Sequence, residues 1–143
     1  MYWALITSLR QSIQAHAARE APDPPDLADA QLIDAGLVLY HAHCVPCHGG
    51  PGVPPGPIGL GLTPPPANLV LAGREWTPQE LHWTVAKGLK MTGMPAWEFR
   101  FSDEEWWAVV AFVKAMPALA PADYESRRER LLPARQGASE VRR

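Results

Sequence analysis

Thiols are scarce in this chain. Of 143 residues only Cys44 and Cys47 are cysteine, too few to frame the several bridges of a small disulfide-stapled domain. A long apolar run is also lacking: no stretch of 18 apolar residues occurs, so no segment reads as a bilayer span by itself. Nor is there an excess of one charge. The 13 Lys and Arg against 15 Asp and Glu leave a formal net charge of −2, which gives no footprint for nucleic acid. The opening residues "MYWALITSLRQ" hold a short apolar stretch but neither a basic n-region nor a small-residue cleavage site, and so do not read as a signal peptide. There is no internal repeat, and the length suits one modest domain.

Proline and glycine, by contrast, are plentiful. The chain has 16 prolines and 11 glycines, concentrated between residues 49 and 66 of "GGPGVPPGPIGLGLTPPPANL". Such a stretch can be neither a helix nor a central strand, yet Ile58, Leu60, Leu62 and Leu69 give it something to pack. With 47% apolar residues a core is affordable in composition. The expectation is a small all-α domain, helical at both ends and irregular between, of the kind that relies on a bound cofactor to fill its centre.

Helical periodicity marks four segments. Trp3, Ile6, Leu9 and Ile13 recur on one face of residues 2–17, an amphipathic helix read as lying on its own domain, with membrane-proximal or partner-docking roles as alternatives. "EAPDPPDL" ends it as an extended linker. A second helix is expected from Ala28 to His43, with Leu32, Ile33, Gly36, Leu37, Leu39 and Tyr40 inward. Gly36 costs about 1 kcal/mol of helix propensity against Ala, which close approach of another helix would offset. A third begins at Thr77 with Pro78 in its first turn and Glu80 completing a capping box, and ends at Gly88. The last opens at Ser102 with Glu105, turns Trp106, Val109, Val110 and Val113 to one face with Trp107 and Phe112 beside them, and stops at Pro117. Arg127, Arg128, Arg130, Arg135, Arg142 and Arg143 follow in a tail read as having little to bury, a short helix or disordered. The chain thus divides into an N-terminal helix and linker (residues 1–27), a central domain (28–118) and an Arg-rich tail (119–143).

Residues 41–50 read "HAHCVPCHGG", and their spacing fits three chemistries. A thioredoxin-type dithiol should follow a strand and open a helix, whereas this motif follows a helix. A structural zinc site needs four ligands; His16, His41, His43 and His82 are the remaining donors, and none is paired with a further cysteine. The third chemistry uses every residue of the motif: thioether bonds from Cys44 and Cys47 to the vinyl groups of a haem, and His48 on its iron. A second axial ligand should then be a methionine on a downstream loop. "MTGMPAW" offers Met91 and Met94. Pro95 biases Met94 toward extended backbone, Gly93 permits close approach of the chain to haem, and Met91, nearer the helix end, reads as core packing. Met94 is the preferred ligand, with Met91 or an open sixth position as alternatives.

On "GLVLYHAHCVPCHG", "MPAW" and "EEWWAVVAFVKAMP" the sequence resembles the class I c-type cytochromes, over residues 29–118. The resemblance implies a cytochrome c fold, three to five helices around one covalently attached haem c with long Pro/Gly-rich loops. It implies that Gly36 and Tyr40 meet Phe112 and one of the two tryptophans where the terminal helices cross. It implies that Cys44 and Cys47 attach the haem and that His48 and Met94 are axial ligands. A loop proline orients the histidine through its carbonyl, Pro65 and Pro66 being equally eligible. Trp97 is the tryptophan best placed to touch the macrocycle, and the others are core or pocket walls. His41 and His43 read as surface or satisfied residues, His82 as structural, His16 as exposed. Lys87 and Lys90 flank the methionine loop as solvated surface or, alternatively, as a docking patch. More narrowly, "WALITSLRQSIQAHA" and "GLKMTGMPAW" look like membrane-tethered, mono-haem bacterial cytochromes.

The function so implied is one-electron transfer, not catalysis, between a respiratory, dehydrogenase or quinol-oxidising donor and an oxidase or similar acceptor. The alternatives are a fixed haem-bearing subunit of a larger membrane oxidoreductase, or a haem sensor with a displaceable Met94. Haem attachment of this type implies the periplasmic side of a bacterial cytoplasmic membrane, with association through an anchor upstream of Met1 or through a partner subunit. An export element is expected upstream or already removed, and no nucleic-acid partner is implied.

Overall fold

The computed structural model describes residues 2–132, with side chains from residue 7 onward. In order, its helices are α1 (Tyr2–Glu20), α2 (Ala30–His43), α3 (Val45–His48), α4 (Pro57–Leu60), α5 (Leu69–Glu75), α6 (Pro78–Lys87), α7 (Asp103–Ala115) and α8 (Pro121–Leu131), with a 3-10 turn, Met116–Ala118, between the last two. Among the described residues there is no strand, only an isolated bridge between Gly50 and Val53. The all-α expectation is met with more helices than foreseen, because single turns and short helices occupy the irregular stretches. The readings on Trp3, Ile6, Arg135, Arg142 and Arg143 lie outside the described side chains.

The core forms where α2 crosses α7. A Cβ on Gly36 would lie 1.9 Å from the Ala108 carbonyl oxygen and 2.9 Å from Phe112 Cβ, so glycine is what lets the two backbones meet. One turn on, the Tyr40 ring packs on Phe112 with centroids 5.1 Å apart. Its hydroxyl donates to the Gly49 carbonyl at 2.7 Å, so the phenol is buried with its polar tip satisfied. At Gly36 itself the neighbour is the Ala108 backbone, and Trp107 belongs to the same buried cluster as Tyr40 and Phe112. Trp107 stacks on His82 at 4.3 Å and Trp106 meets the same ring edge-on. His82 also bonds Asp103 at 3.0 Å, which gives it the structural role read from sequence.

Local signals fixed α6 and α7. Both capping boxes form, Thr77 with Glu80 and Ser102 with Glu105, and Gly88 ends α6 at φ +65. Two short helices were not anticipated. Pro57 opens α4 from its first turn, a position where a missing N–H costs nothing. Asn68 caps α5 by accepting from the amides of Val70 and Leu71.

The N-terminal helix lies on the domain against α6, with Ile13 and Ala17 buried. His16, expected to be exposed, keeps 41% of its side chain open while it stacks on Trp83 at 5.2 Å and bonds Glu20, whose carboxylate also accepts from the Trp83 indole. The tail corrects a reading. Tyr124 in α8 is 0% exposed, burial worth ~2 kcal/mol for a side chain of this size. It shares a 3.0 Å hydrogen bond with His41, and Arg127 pairs with Asp34 of α2. Residues past Pro117 therefore do have something to bury: the open end of α2. No helix among the described residues is long and apolar enough to cross a membrane.

Candidate functional site

The motif Cys44–His48 is wound, not extended. Cys44 closes α2 with φ −106° and ψ −37° and at once begins the turn α3, with Pro46 in its first positions. Residues three apart on a helical turn share a face, and both sulfur-bearing side chains line one cavity of about 340 Å³. Gly49 ends the turn at φ +64°, where a Cβ would lie 2.4 Å from the Val53 carbonyl oxygen. Outside it, α4 presses close: a Cβ on Gly59 would stand 2.3 Å from the Cys47 carbonyl oxygen.

His48 enters the same cavity. Its Nδ1 lies 2.8 Å from the Ala67 carbonyl oxygen. A carbonyl only accepts, so Nδ1 carries the proton and Nε2 keeps its lone pair. Burial lowers the His48 pKa, outweighing the carbonyl's opposing effect, and holds the ring neutral, the form that ligates metal. The orienting carbonyl was expected from Pro65 or Pro66. Both prolines do line the cavity, but the bond goes to Ala67, the residue just before the Asn68 cap. The proline run ends there, and the start of α5 fixes the direction of that carbonyl.

Met94 lines the cavity from the loop after α6. Its backbone is held at both ends. Its N–H donates to Thr92 Oγ1 at 3.1 Å, that hydroxyl donates to the Leu89 carbonyl at 2.7 Å, and Met94 O accepts from Leu89 N–H at 3.2 Å. The loop then folds on the end of α6, where Gly88 leaves room for Met94 O, Pro95 and Ala96, all within 2.8 Å of where a Cβ would be. Gly93 lines the cavity as well, and a Cβ there would strike the Leu62 side chain at 2.6 Å. Met91 is not core. It is 98% exposed with φ +61°, and it does not line the cavity.

The walls are apolar: Leu62, Leu81, Val109, Val110 and Val113 among them. Trp97 joins them, stacked on Phe101 at 4.9 Å, and exposed His43 meets both rings edge-on while also facing the cavity. Trp76, read among the core or pocket-wall tryptophans, is a wall residue, and Leu9 of α1, His43 and Thr84 are wall residues that sequence reasoning did not assign to the site. Only helical spacing along α1 and α6 could have hinted at Leu9 and Thr84. The Thr84 hydroxyl is the one polar group here that stands out, buried with no hydrogen-bond partner. Lys87 pairs with Glu98 and Lys90 is exposed, which fits solvated surface.

This arrangement argues against the rival chemistries. Burial, with Cys47 adding to it, pushes the Cys44 thiol up to about 12, so it stays protonated and unreactive as a dithiol switch. Among the described residues no group of three or more His, Cys, Asp or Glu is placed to hold a metal ion. A covalently held haem fits instead. Two thiols, a neutral imidazole with a free Nε2 and a thioether border one apolar cavity. A family model described as cytochrome c oxidase, cbb3-type, subunit III matches residues 31–113. A search of curated proteins found no match.

Proposed function

The chain belongs to the cbb3-type cytochrome c oxidase subunit III family of c-type cytochromes, and from that premise we propose that it is a mono-haem carrier relaying single electrons to an oxidase. A haem-dependent electron-transfer role, rather than catalysis, comes with the family. The observation that carries the finer reading is the convergence of Cys44, Cys47, His48 and Met94 on one apolar cavity. Haem bound there supplies a one-electron iron couple. Cys44 and Cys47 tether it through thioethers. His48 offers Nε2 to the metal while Ala67 holds the ring's other nitrogen, an outer contact that fixes tautomer and orientation. Met94 offers a soft sulfur from the opposite loop, a ligand pair that raises the reduction potential. The leucine and valine walls would shield the group from water, and with His48 and Met94 both engaged no place would remain for a substrate.

The family name favours a fixed place in an oxidase complex over free diffusion. The donor in this reading is a respiratory or quinol-oxidising protein, and the site of action is the periplasmic side of the cytoplasmic membrane. The purified holoprotein tests the site. One haem per chain, resistant to acid-acetone extraction, and a near-infrared Fe(III)–thioether band lost in Met94→Ala are the expected results. Extractable haem in the wild type, or a band that survives Met94→Ala, overturns the assignment.

A further inference from the structure

Thr84 stands on α6 between two cavity-lining residues, Leu81 and Val85. Its side chain is 93% buried, being 7% exposed, and Oγ1 has no partner. A buried hydroxyl left unpaired bears its full desolvation penalty, so an acceptor is to be sought inside the cavity. The other threonine there, Thr92, is already engaged with the Leu89 carbonyl and the Met94 amide.

The helix places Thr84 close to the loop that carries Met94. The Gly88 N–H donates to the Thr84 carbonyl, so the two residues are one turn apart on the same face. On that face, a Cβ at Gly88 would meet Met94 O at 2.8 Å. The next residues of the loop are tied to the same turn, Trp97 N–H donating to the carbonyls of Val85 and Ala86. Thr84, one turn before Gly88, thus borders the cavity beside the turn on which the Met94 loop is anchored, and Met94 borders the same cavity.

We propose that Thr84 is a positioning residue whose hydroxyl donates a hydrogen bond to the Met94 thioether sulfur in the haem-loaded protein. The inference rests on Met94 being the axial ligand. The bond occupies one sulfur lone pair while the other faces the iron, which fixes the rotamer of the long, flexible methionine. It also withdraws electron density from the sulfur, and a poorer donor disfavours Fe(III) more than Fe(II). Outer-sphere hydrogen bonding of this kind is one of the protein's levers on haem potential.

The test is a pair of variants of the holoprotein, read by redox titration and by the near-infrared band. Thr84→Val keeps the shape and removes only the hydroxyl. It is expected to lower the reduced-to-oxidised ratio at fixed poise roughly two- to tenfold, the worth of one hydrogen bond, and to displace the Fe(III)–thioether band. Thr84→Ser, which restores the hydroxyl, should return both toward wild type. A Val variant with unchanged titration and band overturns the inference. So does a shift in the titration with the band unmoved, since the hydroxyl would then serve another acceptor. A wild-type band absent from the start overturns the Met94 assignment as well, and so separates failure of the ligand from failure of its support.

Discussion

The two sides of the cavity are built by different means. On the Cys44–His48 side the residues sit on a helical turn, pressed by backbone: Gly49 against Val53 and Gly59 against Cys47, both at distances that exclude a side chain. On the Met94 side the loop meets backbone closely only where it leaves α6, at Gly88, and around Met94 itself it is held by a few hydrogen bonds through Thr92 and Leu89, with Met91 and Phe99 exposed. The first side is rigid because atoms leave no alternative position. The second is held by bonds that water can replace. It follows that the methionine side is the softer one and the first to open under stress.

Three changes probe that difference. Gly59→Ala should act most strongly, because its Cβ would meet the Cys47 carbonyl at 2.3 Å and backbone must shift on both sides. Overpacking of this severity costs about 2–3 kcal/mol. A lowered denaturation midpoint and a reduced yield of covalent haem are the expected readouts, and an unchanged midpoint would show the attachment side to be as pliable as the loop. Thr92→Val removes a hydroxyl that both donates and accepts, for about 1–2 kcal/mol, all of it local. Added imidazole should displace Met94 at a several-fold lower concentration, with a smaller fall in the denaturation midpoint than Gly59→Ala produces; equal sensitivity to imidazole would mean that Thr92 does not hold Met94. Met91→Ala should be nearly silent, within about 0.5 kcal/mol as for surface positions generally. A change in the near-infrared band on that substitution would make Met91, not Met94, the residue to reconsider.

The sequence was most informative where structure is decided locally. Thr77 with Glu80 and Ser102 with Glu105 start their helices through contacts within one turn, and a reader of residues can see both partners at once. Gly36 was legible for another reason, since a glycine in an apolar helix face needs a neighbour to justify it. Ala67 was missed by one residue because, within "PPPAN", the carbonyl direction is set by where α5 begins and not by any proline. Tyr124 was missed because its hydrogen-bond partner, His41, lies 83 positions back in the chain, and an Arg-rich segment gives no sign of it. Leu9 was read onto the right helix face, but which cavity that face covers depends on how α1 docks on α6.

The crossing at Gly36 also has a kinetic side. Gly36 meets Ala108, and 108 − 36 = 72 positions of chain separate them, a stretch that contains both His48 and Met94. Contacts this distant in sequence form slowly, because the loop entropy is lost before packing repays it. The helices with capping boxes can form early, but the core waits for the two ends of the loop to find each other. A ring covalently bound near the start of that loop and ligated near its end would divide one long search into shorter ones.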